Sequence, residues 1–361
     1  MAPPPPAPPV PSRTLNNADI AELLAALSQT AKYPAQKALR RAARRAFLWP
    51  EEAADLVATG RSLTELSGVG PYISDVIAAW LQDPPPLPTP PEIRTGFLTI
   101  PAARAILARR PSWMDALRGD LQMHSVWSDG SGTISEMAEA AVQHGYEYIA
   151  ITDHAQTLRI AGGIDERQLK EQGAEIAEVN ALLENVGTPL RVLHSIELNL
   201  NPQGDGDMQR SALDNLDLVL GCFHSSLRKK DDQTERYVRA LRNPDIQILG
   251  HPRGRIYNFR AGLNADWPRV FAAAAELDKA VEIDSYPDRQ DLSTDLVRLA
   301  AQAGCRISIG TDAHGPTQLD FIELGLASAL LAGVPAERIL NFMSREDLLA
   351  WANDVRQVSA P

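Results

Sequence analysis

From residue 119 onwards, short apolar runs alternate with longer helical patterns such as 133–143 and 165–183. Each run has the length of a buried strand, and strands that are separated by helices form parallel sheets. Seven such runs predict an α/β fold whose sheet closes into a distorted barrel. The predicted strands begin at Gly119 and continue with 148–151, 190–193, 218–222, 246–249, 280–283 and 306–309.

Histidines and carboxylates follow these predicted strands at matching points. The chain has 7 histidines, and most of them stand at or just after the C-terminal end of a strand. In parallel barrels these ends share one rim, where catalytic groups gather. Imidazoles and carboxylates are common ligands of divalent metals. The sequence therefore predicts a polynuclear metal site that contains His124, Asp129, His154, Glu197, His224, His251, Asp312 and His314.

Four other features near this predicted site have simpler explanations. His144 stands at the C-terminus of a predicted helix, where the helix dipole favours it. His194 lies inside a predicted strand and is expected to be structural or to support a ligand. Asp153 is expected to orient a ligand rather than to bind a metal. Residues 316–361 are expected to form closing helices without chemistry.

The N-terminal part of the chain combines a basic helix with a glycine turn. Residues 35–47 predict a helix on which Arg40, Arg41, Arg44 and Arg45 form one stripe. Residues 68–70, Gly-Val-Gly, predict a tight turn between two short helices, and Pro71 suits the first helical position. A solvated face explains the stripe about equally well, and a plain turn is the better explanation of Gly68 and Gly70 alone. Together they favour a contact with a DNA backbone.

Proline-rich segments divide the chain. Residues 1–15 predict an extended or disordered tail, and residues 83–91 predict a semi-rigid linker. The predicted domains are the tail 1–15, a small all-α domain 16–82, a linker with a connecting helix 83–118, and the metal domain 119–361. Within the small domain, residues 17–19 are expected to cap a helix that runs through 21–28.

The composition limits partners and compartment. A net charge of −11 argues against general coating of nucleic acid, so any DNA contact requires a local basic patch. The 2 cysteines fit a reducing compartment. No apolar run approaches the length of about 18 residues that a membrane helix needs, and the N-terminus lacks the pattern of a signal peptide. We therefore expect a cytoplasmic protein without a membrane partner.

From about Asp120 to Gly325 the chain resembles a PHP (polymerase and histidinol phosphatase) domain, most closely the one in bacterial family X DNA polymerases. Residues 16–82 resemble the helix-hairpin-helix domain of those polymerases, with Ser74 where the motif usually has alanine. The polymerase palm is missing, so polymerase activity is not expected. The resemblance rests on 119–130, 149–154, 195–199, 222–226, 248–255, 281–284 and 310–314.

The resemblance implies three divalent ions, Mn²⁺, Zn²⁺ or Mg²⁺. It assigns His124, Glu197 and Asp312 to one metal. It assigns His224 and His251 to a second metal, with Glu197 as the bridge. It assigns Asp129, His154 and His314 to the third metal.

Gln122 stands where many members of the family have a histidine. A ligating amide oxygen would favour manganese or magnesium over zinc at the first metal, and a plain polar strand residue is an equally good explanation.

Clustered divalent ions suit the hydrolysis of phosphate esters, because they bind phosphate oxygens and lower the pKa of a bridging water. Arg253 and Arg255 are expected to bind the phosphate. Residues 228–230 are a candidate substrate lip, although a solvated loop is the better explanation. The residues expected to act in catalysis are His124, Asp129, Glu197, His224, Asp312, Arg253 and Arg255.

The predicted function is that of a metal-dependent phosphoesterase acting on DNA ends in repair, as a 3′–5′ exonuclease or a 3′-phosphatase. A small-molecule phosphatase of the histidinol-phosphatase type is one alternative. A non-catalytic DNA-binding protein is the other.

Overall fold

The computed structural model describes residues 14–358, and the chain divides into two compact units. The boundary lies between Ala102 and Ala103, so the predicted linker 83–118 is shared between the units. The predicted tail 1–15 lies outside the described residues except for its last two, of which Leu15 is buried. Leu15 therefore belongs to the core of the first unit and not to an extended tail.

The first unit is helical. Its helices are α1 (Asn17–Thr30), α2 (Ala35–Arg45), α3 (Ala53–Ala58) and α4 (Pro71–Gln82). Helix α1 begins earlier than predicted because Asn16 caps it: the Asn16 side chain accepts the Asp19 N–H, and the Asp19 side chain accepts the Asn16 N–H. Helix α2 ends at Arg45, and a 3-10 turn, Ala46–Leu48, replaces the predicted last residues.

The glycine turn is held by contacts with the helices around it. Before the turn, Leu63–Glu65 forms only a 3-10 turn, so the prediction of a short helix there was wrong. The indole of buried Trp49 donates to the Ser67 carbonyl at 3.0 Å.

An ion pair of 2.7 Å between Arg94 and Glu22 attaches the segment after the proline-rich stretch to α1. This pair explains why that segment belongs to the first unit.

The second unit is built around a seven-stranded parallel sheet in the order β1 to β7. The prediction of a distorted α/β barrel is confirmed. The strands are β1 (Gly119–Met123), β2 (Tyr148–Ile151), β3 (Arg191–Asn199), β4 (Leu218–Cys222), β5 (Ile248–Leu249), β6 (Ala280–Asp284) and β7 (Arg306–Gly310). The remaining helices are α5 (Ile100–Leu107), α6 (Ser112–Ala116), α7 (Ile134–Gln143), α8 (Glu166–Asn185), α9 (Arg210–Leu213), α10 (Thr234–Arg242), α11 (Trp267–Glu276), α12 (Thr294–Gln302), α13 (Ile322–Ala332) and α14 (Arg345–Val358).

Side chains close the seam between the first and last strands. The buried amide of Asn341 donates to the Gly119 and Ile309 carbonyls at 2.8 Å each, and its oxygen accepts the Ile309 N–H at 2.8 Å. The Asp120 carboxylate accepts the Thr311 N–H at 3.1 Å and also the Thr311 hydroxyl. Side-chain hydrogen bonds of Asn341 and Asp120 therefore join the two edges of the sheet, between which no regular strand ladder is described.

Apolar side chains fill the end of the barrel opposite to the strands' carboxyl ends. Leu121, Ala150 and Leu193 pack there against Leu348 and Trp351 of α14. The other faces of the same strands pack against α7 and α8. Helices therefore cover the strands, and the polar side chains lie at the open rim of the barrel. Among residues 14–358, no helix has the length and apolar character needed to cross a bilayer.

Candidate metal centre

The carboxyl ends of the strands bring the predicted ligands together. The loop after β1 supplies His124 and Asp129, the loop after β2 supplies His154, and β3 itself supplies Glu197. The later loops supply His224 after β4, His251 after β5, and Asp312 and His314 after β7. Seven of these eight side chains fall into three overlapping groups, one of which also includes Cys222, whose ligand atoms lie within 4.8 Å of one another. Asp312 is in none of the three groups and joins the cluster through His124.

Glu197 lies at the centre of the cluster and is fully buried. Its Oε1 lies 2.7 Å from His251 Nε2 and 3.0 Å from His224 Nε2. Its Oε2 lies 2.8 Å from His154 Nδ1 and 3.5 Å from His124 Nε2. Burial raises the pKa of this carboxyl, but His154 and His224 outweigh burial and hold the pKa well below its usual range. Glu197 is therefore an anion shared by four imidazoles.

Asp129 and His314 form the outer part of the cluster with His154. Asp129 Oδ1 lies 3.3 Å from His314 Nε2 and 3.4 Å from His154 Nε2. Burial lowers the pKa of His154, yet Glu197 and Asp129 together raise it to about 10. Opposite charges thus dominate over desolvation at this edge.

Asp312 joins the cluster to an arginine. Its Oδ1 lies 2.9 Å from His124 Nε2, and its Oδ2 lies 2.8 Å from Arg289 Nη1. Burial raises the pKa of Asp312, but Arg289 and His124 hold it well below its usual range. Asp312 and His251 have φ of 51° and 22°, a left-handed conformation that costs on the order of 1–3 kcal/mol per residue. The fold stores this strain where the ligands converge.

The donor set fits divalent metal ions. His224 Nε2 and Glu197 Oε2 are buried without a hydrogen bond of acceptable geometry among residues 14–358, although each faces an oppositely charged or polar group. Imidazole nitrogens and carboxylate oxygens that converge without forming hydrogen bonds are what a coordinating ion requires. Two of the other ring nitrogens lie close to protein oxygens that orient the imidazoles. His224 Nδ1 lies 2.5 Å from Asn199 Oδ1, and His314 Nδ1 lies 2.7 Å from the Asp312 carbonyl.

Asp153 supports the ligands, and protein donors occupy its own carboxylate oxygens. Its buried carboxylate accepts four protein hydrogen bonds at 2.5–2.9 Å, from the Ser125 N–H, the Ser125 and Ser128 hydroxyls and the Gln172 amide. These bonds tie the loop after β1 and helix α8 to the residue that precedes His154. The arrangement agrees with the expectation that Asp153 orients a ligand.

Gln122 faces a carboxylate that sequence reasoning missed. With its amide nitrogen turned to Glu282, the distances to the two carboxylate oxygens are 2.5 and 3.1 Å. Glu282 also accepts the His251 N–H at 2.6 Å. Burial raises the pKa of Glu282. Ligation of a metal by Gln122 stays a prediction, and its observed contact is with Glu282. The alternation along β6, in which Glu282 interrupts apolar residues, was the available signal.

Arg289 and Cys222 were also missed. Arg289 lies in the turn after β6, where no periodicity marks it, and reaches Asp312 as described above. Cys222 shares a possible ligand group with Glu197 and His251, but burial raises the pKa of its thiol, which favours the neutral form.

The predicted phosphate-binding arginines lie close to protein acceptors. Arg253 Nε donates to the Leu263 carbonyl at 3.2 Å. Arg255 is buried, and its backbone N–H donates to Asp291 at 3.3 Å. Their contact with substrate stays a prediction. His144 caps α7, and His194 lies within β3, as expected.

A family model of the PHP domain matches residues 120–309, which is more than half of the chain. The chain belongs to the PHP domain family. Membership of this family and the similarity to phosphatases described below support a metal-binding hydrolase of phosphate esters. The predicted enzyme class is confirmed.

Among curated relatives, DNA polymerase/3′-5′ exonuclease PolX of Bacillus subtilis is 36% identical over 236 residues, which are 65% of this chain and 41% of PolX. The PHP protein thus spans less than half the length of that relative. A probable phosphatase of Thermoanaerobacter sp. is 27% identical over 240 residues, which are 62% of this chain and 89% of that protein. A putative histidinol phosphatase from Listeria monocytogenes aligns with a TM-score of 0.44 and 11% identity, over 56% of this chain and 97% of that structure.

Proposed function

We propose that this PHP protein hydrolyses phosphate esters at DNA ends in the cytoplasm, as a 3′–5′ exonuclease or 3′-phosphatase that serves DNA repair. The observation that carries the proposal is the exposed arginine stripe of α2, one member of which, Arg45, packs on the glycine turn in the first unit. A small-molecule phosphatase has no need of such a surface.

The stripe and the turn share one contact. Arg40, Arg41, Arg44 and Arg45 are exposed, and none of them forms an ion pair with a carboxylate in the described part of the chain. Gly68 has φ of 82°, and a Cβ built on it would lie 3.1 Å from Arg45 Cγ. The stem of Arg45 therefore packs on the turn. Beyond the turn, Gly70 precedes the N-terminus of α4, whose N–H groups are suited to a phosphate.

The barrel supplies the chemistry in this proposal. His124, Glu197 and Asp312 would hold one ion, Glu197 with His224 and His251 a second, and Asp129 with His154 and His314 a third. Bound ions would polarise the phosphoryl oxygens and lower the pKa of a water nucleophile.

The arginine at the edge of the cluster completes the proposed chemistry. Arg289, which forms an ion pair with Asp312, would bind a phosphoryl oxygen at the edge of the cluster.

A substrate panel tests the proposal. Single-stranded DNA, the same strand with a 3′-phosphate, and p-nitrophenyl phosphate are each incubated with manganese, magnesium or zinc. We expect metal-dependent cleavage of a DNA substrate with kcat/KM at least about tenfold above that of the small ester, because the first unit adds backbone contacts. The metal-free protein is the control. Hydrolysis confined to the small ester would contradict the DNA proposal.

The second candidate is a phosphatase of the histidinol-phosphatase type. One observation favours this candidate: the probable phosphatase relative is matched over 89% of its length. That relative therefore has little chain beyond the matched domain. The non-catalytic alternative is not retained, because the family and relatives indicate an enzyme.

Reversing the charge of the stripe should weaken DNA binding. For Arg40→Glu with Arg44→Glu we expect about tenfold lower affinity and a salt slope smaller by roughly 2, because two phosphate contacts are lost. Fluorescence anisotropy over a series of salt concentrations measures both quantities. Arg298→Glu with Arg345→Glu is the matched control in the second unit. Unchanged affinity and slope would remove the stripe's role.

A further inference from the structure

Phe259 is an exposed aromatic ring beside arginines on the rim of the barrel. Its side chain is 54% exposed. The Arg228 guanidinium carbon lies 4.8 Å from the centre of its ring. The cation attracts the face of the ring and holds the ring in place at the surface, where its other face is open to a ligand.

The ring is presented by a rigid turn. Ile256 and Arg260 exchange backbone hydrogen bonds of 2.8 and 2.9 Å, and the Phe259 N–H donates to the Ile256 carbonyl at 3.1 Å. The Arg260 guanidinium donates to the Gly254 carbonyl. Phe259 is therefore held at the tip of a short hairpin whose backbone is already ordered.

This hairpin adjoins the metal cluster through the turn after β6. The Tyr257 N–H donates to the Asp288 carbonyl at 2.7 Å. The next residue, Arg289, contacts Asp312, which contacts His124. A hydrogen bond and two ion pairs, joined by short stretches of chain, therefore link the hairpin to the cluster.

The charge along this path is suited to a nucleic acid strand. Arg228 lies over the ring of Phe259, and Arg260 is the next residue of the same hairpin. Arg228 and Arg260 form no ion pair with a carboxylate within residues 14–358. Cations that alternate with an exposed ring match the alternation of phosphates and bases in a single strand.

We propose that Phe259, with Arg228 and Arg260, binds the base and flanking phosphate of a nucleotide whose scissile phosphate lies at the metal cluster. Phe259 stacks on the base, and the two arginines contact the phosphate that follows. The inference rests on the proposed function and assigns base-bearing phosphate esters as the preferred substrates.

Two chromogenic esters with the same leaving group test it, with manganese present. Thymidine 5′-(p-nitrophenyl phosphate) carries a base, and bis(p-nitrophenyl) phosphate carries none. We expect Phe259→Ala to raise KM for the thymidine ester roughly tenfold, the scale of one stacked base. The kcat and the base-free substrate should change less than twofold, and Phe259→Trp should retain binding. Val186→Ala, at a side chain 78% exposed, is the control.

Binding without turnover separates the two levels of the proposal. Isothermal titration with thymidine 5′-monophosphate and with inorganic phosphate should show weaker binding of the nucleotide alone in Phe259→Ala. If the wild-type protein hydrolyses neither ester, the proposed function fails, and this titration still decides the role of Phe259. Equal effects on both esters and both ligands, or no effect on either, would overturn the inference.

Discussion

Replacing Glu197 by glutamine should abolish hydrolysis, with kcat lowered at least about 1,000-fold, which corresponds to about 4 kcal/mol. Glutamine keeps the shape of the side chain but removes the charge that four imidazoles share. The amide nitrogen of the glutamine would also face an imidazole nitrogen that in the wild-type protein faces a carboxylate oxygen or a metal ion. Both effects disfavour metal at the centre of the cluster, and the metal content of the purified variant should fall in parallel.

Steady-state kinetics with manganese and elemental analysis measure these two losses, and circular dichroism checks that the fold is retained. Glu184→Gln is the matched control, because Glu184 is an exposed carboxylate on α8. A Glu197→Gln protein with the wild-type rate would show that the observed hydrolysis takes place elsewhere.

Asp153→Ala should destabilise the second unit by roughly 3 kcal/mol or more, because it leaves three buried donors and one half-buried donor without their acceptor. Asp153→Asn should cost less. The Ser125 and Ser128 hydroxyls can rotate to accept from the new amide, and the Gln172 amide can turn its oxygen, which has no hydrogen-bond partner among the described residues.

Urea unfolding followed by circular dichroism gives the two free energies. Asp295→Ala is the control, since the Asp295 side chain is 90% exposed. An alanine variant at position 153 within about 0.5 kcal/mol of the wild type, the range of ordinary surface substitutions, would contradict the supporting role.

Sequence patterns predicted the barrel because strand length and helical periodicity are local properties. The same patterns placed His124, His154 and Asp312 near one rim, because the ends of parallel strands meet there. They could not show that Arg289 reaches Asp312. Arg289 follows β6 in an irregular turn, and its position depends on how that turn folds over the neighbouring strand.

One local prediction failed, and one contact between distant residues was missed. The stretch before the glycine turn has helical residues, but only one 3-10 turn forms, Leu63–Glu65, before the chain must turn. The predicted strand 280–283 is confirmed, but the contact of Glu282 with Gln122 is not a local property of that strand. Gln122 lies on a strand that is distant in sequence, so the pair emerges only when the barrel closes.

The seam made by Asn341 has a consequence for how the enzyme is loaded and unloaded. His124 belongs to the first strand's loop and Asp312 to the last strand's loop, so an ion held by both would link the two strands that no regular ladder joins. Occupancy of that site and closure of the seam are then one linked equilibrium. An ion at 1,000 times its dissociation constant would add about 4 kcal/mol of resistance to opening. The segment around Asn341, which follows both ligands in the chain, would thereby contribute to metal retention.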